Sequence, residues 1–284
     1  MPERPNIVIF NPDSYRGDVL GHLGNSGAVT PNLNALVRHG GVSYANAFSQ
    51  SPVCTPSRCS FMTGWYPHVH GHRSMKHMLA KHEPNLLRVL RREGYFVWWG
   101  GKNDLVAVER PEDYLEYCDV KHRPATPYRE FRVPEAVDPS DRRYRVFYRG
   151  VARRDGTGPL QTDMDTSHAM GAADFIRTYI DSERPFCLFL PLSFPHPPYR
   201  VEEDYYDLID PELLPSRLPA PEHDLPMLDS LREGYRSVAV TPEDWREIRH
   251  IYYAMCAKID RLFGLVVEAL VDRNLYDDTI IIFL

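Results

Sequence analysis

At 284 residues, with 43% hydrophobic and 25% charged residues, the chain is long enough to bury a large core and too apolar for extended disorder. Its formal net charge of -6, with no dense run of Lys and Arg, excludes a nucleic-acid groove or an anionic membrane surface as an expected partner; local basic groups remain available for a small anion. The start, Met1-Pro2-Glu3-Arg4-Pro5, lacks the basic and apolar blocks of a secretory signal, no apolar run approaches a membrane span, and the five cysteines are odd in number and scattered, so a cytoplasmic protein without a disulfide framework is expected.

Asn6 to Phe10 is a short, continuous apolar run stopped by Asn11-Pro12-Asp13, the pattern of a buried strand ending in a polar turn. Thr30 as cap and Pro31 in the first turn open a helix in which Leu33, Leu36 and Val37 share a face, and Gly40-Gly41 closes it. Val42 to Phe48 reads as a second strand. Leu86, Leu87 and Leu90 mark another helix, ended by Gly94, with Tyr95 to Trp99 as the strand after it. From about Arg110 to Pro159, Pro, Arg, Asp and Tyr dominate with little periodicity. That loop-rich insertion is too long for a plain connection, and it reads either as a lid or substrate-binding excursion or as surface ornament. A helix near Ser167 to Ile180 leads into a buried strand over Phe186 to Leu192. A second Pro-rich stretch, about Pro211 to Pro226, precedes the long helix that Thr241-Pro242-Glu243-Asp244 begins and that runs to about Leu270. Thr279 to Leu284 is again apolar and β-rich, a last strand with an exposed edge after Leu284. The alternation predicts an α/β fold, a largely parallel sheet sandwiched by helices, whose ligands bind beyond the carboxyl ends of the strands.

Four segments at or beyond such strand ends carry groups suited to chemistry. Asp13, in Asp13-Ser14-Tyr15-Arg16-Gly17-Asp18, is either a ligand for a hard divalent cation or a turn residue capping the next helix. Cys54, in Cys54-Thr55-Pro56-Ser57-Arg58 with Thr63-Gly64, Pro67 and Gly71 downstream, is either a buried thiol in a helix-opening turn or a reactive group. Lys102, in Gly100-Gly101-Lys102-Asn103-Asp104, follows a strand, as does His196 in Ser193-Phe194-Pro195-His196-Pro197-Pro198-Tyr199. His68, His70 and His72 are crowded enough for a metal cluster, which ranks below surface or substrate-facing roles. A closed zinc site has no support, because neither a CxxC pair nor an HExxH motif occurs.

Cys-x-Pro-Ser-Arg with the downstream Thr-Gly resembles the signature of the type I, formylglycine-dependent sulfatases of the alkaline phosphatase superfamily, and the resemblance extends over nearly the whole chain. It implies a formylglycine made from Cys54 by a formylglycine-generating enzyme, and one divalent cation held by Asp13 and the modified Cys54. The cation would be Ca²⁺ foremost, with Mn²⁺ or Mg²⁺ as alternatives. It further implies that Arg58 steadies the nucleophile and the anion, that Lys102 touches the anion, and that His196 contacts the ester or leaving-group oxygen. Two positions depart from the pattern. Ser14 stands where many arylsulfatases have a second Asp, as in the phosphonate and choline-sulfate branches. Asp104 replaces the usual His and has no assigned role, being either turned away from the anion or bound to something else. The second metal motif of the family would begin about one residue after Leu284, so residues 1–284 are expected to form an incomplete catalytic domain, weak in metal binding and inactive by itself. The implied function is hydrolysis of a small anionic sulfate ester. A phosphonate or phosphate ester hydrolase on the same scaffold and a non-catalytic anion-binding relative are the alternatives.

Overall fold

The computed structural model describes residues 4–124, 130–132, 138, 140–153, 160–179, 184–218 and 226–284. In chain order the elements are β1 (Asn6–Asn11), α1 (Pro31–Arg38), α2 (Cys54–Thr63), α3 (Leu86–Arg92), β2 (Phe96–Gly100), β3 (Val120–His122), β4 (Glu130–Arg132), β5 (Tyr148–Ala152), β6 (Leu160–Thr162), α4 (Met164–Thr178), β7 (Phe186–Pro191), β8 (Tyr199–Glu202), α5 (Glu203–Tyr206), α6 (Pro226–Gly234), α7 (Pro242–Asp272) and β9 (Thr279–Phe283).

Five strands form one parallel sheet in the order β3-β2-β7-β1-β9. The central strand β7, Phe-Cys-Leu-Phe-Leu-Pro, is buried along its whole length, which is why its sequence shows no polar alternation. Its side chains still alternate between two cores. Leu188 and Leu190, with Val8, Phe10 and Trp98, face α4 and α7, where Ala169, Ala173, Ile259, Phe263 and Val266 meet them. Cys187 and Phe189, with Ile9, Val97 and Trp99, face the other way onto Cys59 and Met62 of α2 and Leu87 of α3. A third cluster joins β5 and β8, which pair in parallel, to the first half of α7. The start of α7 carries the expected Thr241–Asp244 capping box with Pro242 in the first turn.

Several expectations need correction. Val42 to Phe48 forms no strand: Val42, Tyr44 and Phe48 are largely exposed, and no neighbouring strand pairs with the segment among the described residues. A β-rich composition cannot satisfy main-chain groups without a partner ladder. Thr30 does not cap α1. Its hydroxyl accepts from Gly21 N–H at 2.9 Å, and Asp260 on α7 accepts the N–H groups of Asn32 and Leu33 at 3.0 and 2.8 Å instead. The strand after Tyr276 does form, pairing with β1 at the edge of the sheet, with Ile280 and Ile282 exposed. The stretch from Arg110 to Pro159 is more ordered than its composition suggests, since Val120–His122 joins the main sheet beside β2 and Tyr148–Ala152 pairs with β8. Its segments 125–129, 133–137, 139 and 154–159 lie outside the described residues, as do Ile180 of the predicted α4 span and 219–225 of the second Pro-rich stretch.

Candidate active site

Two strands and a helix deliver the site to one edge. Where β1 ends, Asp13 N–H donates to Phe194 O at 3.1 Å, which ties the first loop to the turn after β7. Where β2 ends, Gly101 has a φ of +101°, and a Cβ there would lie 2.0 Å from Pro191 O. Only glycine permits that approach, which lets Lys102 N–H donate to Pro191 O at 3.0 Å and turns the lysine toward β1. The third contribution is α2. It begins at Cys54 with no side-chain cap on Val53 and ends at Gly64, whose φ of +77° suits the left-handed helix terminus.

At the first turn of α2 the Cys54 thiol donates to Asp13 Oδ1 at 3.4 Å. Burial, then the charge of Asp13, pushes this thiol up to about 11, against a smaller opposing pull from Lys102. Arg58, one helical turn on and buried, donates from Nη2 to Asp13 Oδ2 at 3.3 Å and lies 3.7 Å from Asp104 through Nε. Its Nη1 is buried without a hydrogen-bond partner. Lys102 Nζ pairs with Asp13 Oδ2 and, at 2.7 Å, with Asp104 Oδ2. Burial raises the carboxyl of Asp13, but Lys102 and Arg58 outweigh it and hold it below its ordinary value. Burial likewise opposes the charge on Lys102, and Asp104 and Asp13 outweigh it, so the ammonium is favoured.

Asp13, Cys54, Arg58 and Lys102 therefore meet, although they come from three separate elements. Asp104 meets them too. It is not turned away from the cluster but pairs with both cations, and its carboxylate, that of Asp13 and the Cys54 sulfur bring ligand atoms within 4.8 Å of one another. Two carboxylates are suitable donors for a hard divalent cation, and Lys102 at present supplies the positive charge between them. His196 lies on the same edge, two residues after Phe194, but its ring does not join the cluster. It is exposed, with Nδ1 2.6 Å from Pro197 O. The three crowded histidines form no metal cluster among the described residues. His72 is buried between His77 O at 2.8 Å and Glu83 Oε1 at 3.2 Å, and His70 stacks on Trp65.

Beneath the His196 turn lies a set of polar residues that motif reading missed. Asp165 accepts Ser193 N–H and Phe194 N–H at 2.9 and 2.7 Å. Beside it, Lys258 on α7 donates to Asp163 at 2.9 Å and to Glu202 at 2.8 Å, and its ammonium lies 4.6 Å from the Phe194 ring centroid. The available signal was a single lysine within the otherwise apolar or aromatic run from Ile251 to Ile259.

The Sulfatase family model matches residues 5–284. The chain belongs to the sulfatase family. Among curated proteins, this sulfatase-family chain is 27% identical over 305 residues to arylsulfatase K of Gallus gallus, covering 99% of the chain and 52% of that protein. It is also 27% identical over 304 residues to choline-sulfatase of Rhizobium meliloti (strain 1021), covering 99% and 56%. Thus the chain spans about half the length of the curated relatives it matches. Among solved structures, the phosphonate monoester hydrolase of Agrobacterium radiobacter superposes with a TM-score of 0.70 at 24% identity, covering 99% of this chain and 62% of that one, a likeness of fold.

Proposed function

We propose that the whole protein hydrolyses sulfate esters through a formylglycine made from Cys54, with one divalent cation. The observation that carries this reading is the surroundings of Cys54. A thiol pushed up to about 11 is protonated at neutral pH and makes a poor nucleophile, yet beside it the buried Arg58 Nη1 has no partner and is suited to an anion. The sulfur stands in for the oxygen of the modified residue. Oxidised by a formylglycine-generating enzyme and hydrated, residue 54 would supply one hydroxyl for attack on the ester and a second for release of the sulfate. A cation on Asp13 and Asp104 would supply Lewis-acid stabilisation of charge on the ester oxygens; Ca²⁺ suits such donors, as do Mn²⁺ and Mg²⁺.

Arg58 and Lys102 orient the anion by charge-assisted hydrogen bonds. With Nδ1 of His196 directed at Pro197 O, Nε2 is the ring nitrogen left to exchange a proton with the leaving oxygen. The substrate is a small anionic ester. No helix among the described residues is long and apolar enough to cross a membrane, and all five cysteines are free thiols; a cytoplasmic setting belongs to the same proposal.

The test compares the whole protein made with and without a formylglycine-generating enzyme. Mass spectrometry of the Cys54 peptide should report conversion only with that enzyme, and aryl sulfate turnover should rise with the converted fraction. Turnover independent of conversion would refute the assignment. Aryl phosphonate turnover, measured in parallel, separates the second reading, a phosphonate or phosphate ester hydrolase, which the Asp13-Ser14 pair and the fold likeness to a phosphonate monoester hydrolase support. Anion binding without turnover of either ester would identify a non-catalytic relative.

A further inference from the structure

We propose that a cavity of about 370 Å³ lined by Tyr144, Arg145, Phe147, Arg149, Gly234 and Tyr235 is the subsite for the alcohol part of the ester, and that it takes a ring bearing a second anionic group. This rests on the reading of the neighbouring edge as an ester-hydrolysing site. The cavity is joined to that edge through the main chain. Tyr199, three residues after His196, donates its N–H to Phe147 O at 2.8 Å. From the other side, the ring edge of Tyr199 meets Tyr252, whose hydroxyl donates to Ser14 O at 2.8 Å and accepts Arg16 N–H at 2.9 Å. The wall of the cavity, the His196 turn and the loop after Asp13 are thus one connected unit.

Its chemistry is specific. Tyr144, Phe147 and Tyr235 supply flat faces, with the Phe147 and Tyr235 rings 5.4 Å apart and inclined by 59°. Phe147 is held at a φ of 65°, a conformation a bulky side chain rarely adopts, and its ring stays partly exposed. Strain of that kind, spent on presenting an aromatic surface, is typical of a ligand contact. Arg145 is exposed and has no hydrogen-bond or ion-pair partner among the described residues. Arg149 lies with its guanidinium 4.1 Å from the Tyr144 ring centroid and uses Nη1 for the carbonyls of Tyr144 and Tyr148, which leaves Nε and Nη2 for a ligand. Among the described residues no carboxylate lines the cavity. Two arginines, one of them stacked on Tyr144, among three aromatic rings and with no acid among the described lining residues, select a planar or sugar ring with a carboxylate or second sulfate, and disfavour a cationic alcohol. The volume suits one or two rings.

The experiment uses the converted whole protein with phenyl sulfate and 3-carboxyphenyl sulfate, and measures equilibrium binding of phenol and 3-hydroxybenzoate separately. The wild type should favour the carboxylated ester through KM. Arg145→Ala, which removes an exposed side chain with no partner among the described residues, should raise that KM about tenfold, the loss of one charge-assisted contact, and leave phenyl sulfate within about twofold. Arg149→Lys should act in the same direction, since a lysine cannot reproduce the stacked fork. Equal effects on both esters, or none on either, would overturn the subsite while leaving sulfate hydrolysis intact. If neither ester is turned over but 3-hydroxybenzoate binds more tightly than phenol and loses that advantage in Arg145→Ala, the subsite stands and the sulfatase reading falls. Equal binding of the two phenols, unaltered in Arg145→Ala, would remove the subsite in that case as well.

Discussion

Lys102 and Lys258 each sit between two carboxylates, yet they do opposite work. Lys258 is closed in: its side chain and that of Asp163 are each 1% exposed, Glu202 is 6% exposed, and Asp163 also accepts Thr166 N–H as the cap of α4. Every group there is committed to holding α7, α4 and β8 together. Lys102 is 24% exposed, and its partners Asp13 and Asp104 share their charge with Arg58 and a thiol. That second cluster contains a buried donor without a partner and an opening to solvent. Residue types alone do not separate a structural ion cluster from a functional one. Access and an unspent hydrogen bond do.

The largest effect that would sharpen this contrast is chemical. Cys54→Ala in the converted whole protein should lower sulfate ester turnover by at least about a thousandfold, the scale seen when a nucleophile is removed, with an unchanged circular dichroism spectrum. Turnover at the wild-type level would end the assignment of Cys54.

Next comes the mirrored pair of lysine variants. Lys258→Met leaves Asp163 and Glu202 buried without their cation and should cost about 3–5 kcal/mol in urea unfolding. Lys102→Met should change stability by less than about 1 kcal/mol, because its cluster is partly solvated and retains Arg58, while kcat falls about a hundredfold or more. Equal destabilisation by the two substitutions would erase the distinction drawn here.

Asp165 tests whether the closed cluster serves the open one. Asp165→Asn weakens the acceptor for Ser193 and Phe194 N–H and should cost about 1–3 kcal/mol. The loosened His196 turn should also shift the pH profile of kcat, which simple loss of stability would leave in place. An unaltered profile would confine Asp165 to a structural part.

The smallest effect comes from a third polar pair, the buried His168 and the half-buried His122. The Nδ1 atoms of His122 and His168 are 3.1 Å apart, and Trp98 stacks on His122. Burial, then His122 and Lys121, lowers the pKa of His168 to about 4. The unfolded chain, with an ordinary imidazole near 6.5, binds more protons between these values, so the contribution of His168 is full above about pH 6.5 and is lost as pH falls toward 4. Melting temperature measured across that window should fall less steeply for His168→Gln than for the wild type. Parallel curves would show that His168 does not titrate on unfolding.

Most of the secondary structure was legible because it is written locally. The continuous apolar runs of β1, β2 and β7 and the Thr241–Asp244 box with Pro242 carry their instructions within a few residues. The candidate site residues were also legible as residues, since Cys54 to Arg58, Gly100 to Lys102 and the turn around His196 are short patterns placed after strands or at a helix start. Val42 to Phe48 was misread because a strand needs a neighbour, and neighbours are not local.

By itself, the sequence determined the α/β order of elements, the family signature at Cys54 and the edge at which the chemistry is expected to gather. Only the tertiary structure decided that Asp104 turns inward to Lys102 and Arg58, that Asp260 rather than Thr30 caps α1, and that Lys258 closes a buried cluster under the His196 turn. The physical reason is range. Helix caps and apolar periods are satisfied within one or two turns, whereas a charge finds its counter-charge wherever the packed chain brings one within about 4 Å, irrespective of separation along the sequence.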